Sequence, residues 1–167
     1  MTLDQLNALP RNAAQDELQR CCGSDRWATS MTERRPFHGP HELYRAAEEV
    51  WWSLEPADWL EAFSHHPRIG ERAAGWAKDE QAGVDAASHA TMKALATLNR
   101  EYEQRFDHVF LICATGKSAD EMLGEVRRRL ANDPAQELRI AAAEQAKITR
   151  LRLEKLLTPS LESSRTE

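Results

Sequence analysis

Helix start and stop signals recur from end to end of this chain, while apolar residues nowhere alternate with a two-residue period over any length. A half-buried sheet needs that period of two and an amphipathic helix a period near 3.6, so the pairing points one way. Thr2 with Gln5, Asn12 with Gln15 and Ser118 with Glu121 each have capping-box spacing, at which two side chains satisfy each other's orphan amides. Asp133-Pro134 followed by Gln136 repeats the signal with proline in the first helical position, where its missing N–H forfeits nothing. Leu43, Ala46, Ala47, Val50 and Trp51 make one apolar stripe between Pro40 and Leu54. Pro56 opens a further helix, PADWLEAFSH, which must end near His66 because Pro67 crowds the residue before it out of the α region. The expected class is all-α: a single-domain compact helical bundle of about seven to nine helices over residues 1–158, with a flexible tail over 159–167.

Other segments are less regular. From about Asp85 to Arg105, Ala87, Ala90, Ala94, Leu95, Leu98 and Tyr102 suggest one apolar side of a long helix. HVFLICATG is an exception, a short apolar run with β-branched residues that reads as a buried extended segment without an evident partner strand. The longest helix is expected from about Pro134 to Leu157, with Ile148 and Arg152 facing the same way. Residues 70–82 read as a loop, long enough to carry function.

Charge and composition exclude several classes. The chain has 22 basic and 27 acidic residues, a net charge of -5, and only RRPF and RRR as basic clusters, which leaves no footprint for a nucleic-acid backbone. No apolar run approaches the roughly 20 residues that span a bilayer, and the N-terminal stretch lacks a secretory pattern, so a cytoplasmic location is expected. Cys21, Cys22 and Cys113 are odd in number and two are adjacent, a poor disulfide framework, so reduced thiols are expected.

The stretch FSHHPRIGER concentrates the chemistry. A histidine at the last turn of a helix feels the negative end of the helix dipole, which favours imidazolium and makes His66 a candidate proton donor. His65 and His66 also read simply as helix-ending residues. Adjacent histidines point to different sides of a helix, and no His-x-x-x-His or Cys-x-x-Cys accompanies them, so no metal site is expected. Cys113 lies in the apolar run FLICA, where burial keeps a thiol protonated. Glu80, Gln81 and Arg152 read equally as solvated surface residues or as parts of a site.

Taken in order, HPRIGE at 66–71, EQAG at 80–83, LNREYEQRF at 98–106, FLICATGKS at 110–118 and KITRLRL at 147–153 resemble the 2-oxo-4-hydroxy-4-carboxy-5-ureidoimidazoline (OHCU) decarboxylase family. The chain departs from the pattern at Ala77-Lys78, where many relatives carry a serine before Glu-Gln. The resemblance implies a helical homodimer that needs no metal or organic cofactor and converts OHCU to (S)-allantoin in urate degradation. It implies His66 and Glu80 as catalytic residues, and Pro67, Gln81, Arg152 and the main chain of Ile112, Cys113 and Ala114 as substrate-binding groups. A helical interaction module that keeps the fold without catalysis, and a metal-dependent hydrolase, are the alternatives. The first would be expected to lose His66, Glu80 or Arg152, and all three are present.

Overall fold

A computed structural model describes residues 1–70, 76–85 and 88–158. Among them are ten helices and no strand: α1 (Leu3–Ala8), α2 (Arg11–Cys21), α3 (Asp25–Glu33), α4 (Pro40–Ser53), α5 (Pro56–Ser64), α6 (Trp76–Glu80), α7 (Ala82–Asp85), α8 (His89–Phe106), α9 (Ala119–Arg129) and α10 (Pro134–Leu157). The class is all-α, as the punctuation indicated, with more helices than expected because the apparent loop over 70–82 contains the short α6 and the first residue of α7. The expected tail over 159–167, Ala87 and Glu71 lie outside the described residues.

The chain divides into two compact units, one built from residues 1–59 and the stretch from Ala146 onward, the other from Leu60 to Gln145. In the first, α2 packs on α3 and α3 on α4. The Thr2–Gln5 capping box is present at α1. Asn12 does not cap α2, which instead begins at Arg11 after Pro10: the fixed proline φ sets the chain for helix entry, and Pro10 O accepts from Ala14 N at 2.9 Å. Buried indoles keep their N–H groups paired, Trp27 to Ala47 O at 3.2 Å and Trp59 to Trp51 O at 3.0 Å. Arg35, from the RRPF cluster, donates to the carbonyls of Leu6 and Leu9 at 2.9 and 2.8 Å, satisfying acceptors that the end of α1 leaves open.

In the second unit α8 packs on α9 over a core that includes Ile69, Leu95, Tyr102, Phe110, Ile112, Met122 and Val126. α8 starts later than the apolar pattern implied, at His89, because Ser88 caps it by accepting from Thr91 N at 3.1 Å. Its buried line is Leu95, Asn99, Tyr102 and Phe106, whereas Ala90 is exposed. The Ser118–Glu121 capping box forms at α9, and Asp133 accepts from Ala135 N and Gln136 N at the start of α10. Phe110, Leu111, Ile112 and Ala114 are buried in non-helical chain, so their backbone needs partners from elsewhere. Arg129 supplies one, donating to Leu111 O at 2.7 Å. That guanidinium is itself 2% exposed and paired at 2.6 Å with the fully buried Glu137, which also accepts from Tyr102 and from Asn132. Burial with an oxyanion neighbour pushes the Tyr102 phenol far up, so it stays a hydrogen-bond donor.

Candidate active site

His66 follows the end of α5, its N–H closing a turn onto Phe63 O at 3.1 Å. His65 is exposed and His66 half-buried, so the two rings of the pair meet different surroundings. From His66 onward each residue except Pro67 is held by a side chain distant in sequence. His66 Nε2 is 2.6 Å from Gln145 Oε1, and Gln145 is fully buried. Arg68 grips Glu103 through two nitrogens, at 2.6 and 3.1 Å. Ile69 enters the core while its carbonyl accepts from Asn99 Nδ2 at 3.2 Å. Gly70 turns the chain at φ +89 and donates its N–H to Gln81 Oε1 at 3.0 Å. Conformation is what calls for glycine there, since a Cβ would meet only the mobile end of Met92, 2.8 Å away at Cε.

The Glu-Gln-x-Gly stretch is held as tightly. Glu80 closes α6 at 9% exposure, and Val84 reaches the core. Gly83 lies against the loop before α9, where a Cβ would come 2.1 Å from Lys117 O. Gln81 brings this segment back to the turn at Gly70. Its Oε1 is committed there, so it offers a ligand amide N–H donors.

Cys113 is half-exposed between buried neighbours. Its thiol is pushed up by burial first and then by the Glu144 carboxylate, with Glu80 adding in the same direction. Glu80, Cys113 and Glu144 thus share one electrostatic neighbourhood, and Glu144 precedes Gln145 on α10. No disulfide joins the cysteines.

Beside His66 opens a cleft of about 520 Å³ lined also by Phe63, Arg68, Glu103, Asp107 and His108. His108 stacks on Phe106 with ring centroids 6.2 Å apart, and meets Phe63 at a tilt and Tyr102 edge-on, at 5.4 and 5.5 Å. Burial holds it below the usual histidine range, against smaller opposing effects from its bond to Val109 O and from Glu137. Among the described residues no three His, Cys, Asp or Glu side chains gather as metal ligands, and no helix is long and apolar enough to cross a membrane.

Sequence reasoning singled out His66, Pro67, Glu80, Gln81, Ile112, Cys113, Ala114 and Arg152. The structure ties His66 to Gln145, Gln81 to Gly70, and Glu80 to the surroundings of Cys113. Arg152 belongs to the other unit, on the second half of α10, where its guanidinium donates to Arg20 O at 3.4 Å. Gln145, Asn99 and His108 went unrecognised; for Asn99 the signal was present, since it stands in the quoted LNREYEQRF.

The sequence profile of the family described as OHCU decarboxylase matches residues 7–154. The uric acid degradation bifunctional protein TTL of Arabidopsis thaliana is 36% identical over 154 residues, covering 86% of this chain and 47% of that protein. This chain therefore spans about half the length of that relative. The 2-oxo-4-hydroxy-4-carboxy-5-ureidoimidazoline decarboxylase of Amia calva is 30% identical over 138 residues, covering 78% of this chain and 79% of the relative. A crystal structure of OHCU decarboxylase in the presence of (S)-allantoin matches with a TM-score of 0.80 at 39% identity, covering 86% of this chain and 99% of that one. With the profile spanning most of its length, the chain belongs to the OHCU decarboxylase family.

Proposed function

We propose that this protein decarboxylates OHCU to (S)-allantoin, closing the conversion of urate. The observation that carries this reading is the fixation of His66: a half-buried imidazole at a helix end, bonded to a buried amide and facing a cleft. Family membership supplies the substrate class.

The chemistry suits a protein acting through its own side chains. Breaking the bond to the carboxylate leaves an electron pair on a ring carbon adjacent to a carbon–nitrogen double bond, and the conjugated ring accepts it. One proton is then consumed at carbon, and delivery from one face gives a single enantiomer. His66 stands against the hydroxyl- and carboxyl-bearing carbon as the acid or base: that carbon becomes the ring carbonyl by giving up its hydroxyl proton, and the neighbouring ureido-bearing carbon takes the proton. Glu80 orients the imidazole or crowds the substrate carboxylate so that loss of carbon dioxide relieves like-charge repulsion. Gln81 directs amide hydrogens at a ring carbonyl, Arg152 offers its planar fork to carbonyl and ureido acceptors, Pro67 restrains the histidine, and main-chain amides from Ile112 to Ala114 complete the binding groups.

A cytoplasmic homodimer that binds neither nucleic acid nor membrane, with residues 1–158 as its catalytic domain, belongs to the same proposal. The acidic net charge supports the part concerning nucleic acid. The test is to generate OHCU in place from urate with the two preceding enzymes and to follow optical activity. Accelerated appearance of (S)-allantoin is expected; formation only at the spontaneous rate refutes the assignment.

A further inference from the structure

We propose that Gln145 is a positioning residue that fixes which nitrogen of His66 handles the substrate's proton, an inference that rests on His66 being the acid or base of the decarboxylation. Gln145 is fully buried on α10 and presents Oε1 to His66 Nε2 at 2.6 Å. A carbonyl oxygen only accepts, so Nε2 carries a hydrogen, and the neutral ring then has its lone pair at Nδ1. Nδ1 takes up the proton and returns it, while the Nε2–H bond to Gln145 holds throughout.

Turning the amide over would present its NH2 group to Nε2, which would then have to accept while the ring carries its hydrogen at Nδ1, so the amide's orientation and the ring's tautomer are fixed together. An amide also differs from a carboxylate in consequence. It orients the ring without adding a full negative charge beside it, so it does not stabilise the imidazolium against giving up its proton. Arg68, Glu103, Asp107 and His108 line the cleft with His66, and Glu80 and Glu144 lie near Cys113, so these charged and titratable groups set a background common to every Gln145 variant.

The test combines nitrogen NMR of 15N-histidine-labelled protein with the in-place OHCU assay on wild type, Gln145→Leu and Gln145→Glu. Neutral His66 in the wild type is expected as the Nε2–H tautomer. Gln145→Leu should populate both tautomers and lower kcat by about tenfold or more, with KM much less affected. Gln145→Glu keeps an acceptor and the side-chain shape, so it should retain the Nε2–H tautomer while moving the His66 titration and the pH profile alkaline by about one pH unit or more. A wild-type ring protonated at Nδ1 overturns the inference, as does a folded Gln145→Leu protein with unchanged tautomer and pH profile. The wild-type spectrum needs no variant to fold. A wild type that does not accelerate (S)-allantoin formation overturns the decarboxylase reading and this inference with it, whereas an active wild type with an Nδ1–H ring overturns this inference alone.

Discussion

Asn99 Nδ2 donates to Ile69 O at 3.2 Å, yet Asn99 Oδ1 is buried with no hydrogen-bond partner among the described residues. α8 therefore holds the chain just after His66 by one bond while carrying an unmatched acceptor. Removing the whole amide deletes one orphan acceptor but leaves Ile69 O without its donor, and the two effects oppose each other. Asn99→Leu is expected to change stability by less than about 1 kcal/mol in urea titrations, because gain and loss offset. Activity should fall about tenfold or more as Ile69 loosens, since sub-ångström placement of the acid–base group governs its rate. A variant of normal activity would show that this anchor does not aim His66.

Gly83 is a matter of space. A methyl group 2.1 Å from Lys117 O cannot be accommodated without moving α7 off the loop before α9. Gly83→Ala should cost about 1–3 kcal/mol by thermal or chemical unfolding, the usual range for overpacking. Activity should fall further than stability alone explains, because Glu80 and Gln81 move with α7.

Arg129→Met leaves Glu137 charged, buried and without its strongest partner, and leaves Leu111 O without its donor. The guanidinium also lies 4.7 Å from the centroid of the Phe110 ring. A loss of about 3–5 kcal/mol is expected from urea unfolding, the range for removing one member of a buried ion pair. A loss below 1 kcal/mol would contradict the buried-pair description.

These sites mark where the sequence was legible. Helix starts set by local chemistry were readable: Thr2 and Ser118 cap as their spacing implies, Pro40 and Pro134 stand first in α4 and α10, and Pro67 follows closely on the end of α5. Asn12 failed as a cap because Pro10 set the entry to α2 first. What stayed hidden was burial of polar groups by remote partners. Arg129 sits in RRR, an apparently solvated run, and is buried only because Glu137 and Leu111 meet it. Gln145 lies 79 positions from His66, and no local period encodes such a pairing. The stripe on α8 was legible in part: Leu95 and Tyr102 are buried and Ala94 and Leu98 pack against the core, but Ala90 is exposed and the buried line also runs through Asn99, a polar residue that an apolar pattern passes over. For the candidate site, the motifs name His66 and Gln81 but give no sign of Gln145 beside the one or of the Gly70 N–H bonded to the other.

His108 gives a pH dependence with a defined sign. Burial keeps its folded pKa below the ordinary value, so as pH falls the unfolded chain binds the proton first. The stability tied to the neutral ring is fully present above about pH 6.5 and is lost as pH falls from there through the lower folded value. His108→Phe keeps a stacking ring without the titration, so melting temperature should fall less steeply below about pH 6.5 than in the wild type. Parallel curves for the two proteins would remove His108 from the acid response.

The most direct measurement compares His66→Ala with wild type in the OHCU assay, with helical content and melting temperature followed by circular dichroism. The variant should remain folded and lose all but about one hundredth of the acceleration over the spontaneous rate, at the low end of what a positioned acid–base group contributes. A folded variant that forms (S)-allantoin at close to the wild-type rate would contradict the assignment of the proton transfer to His66.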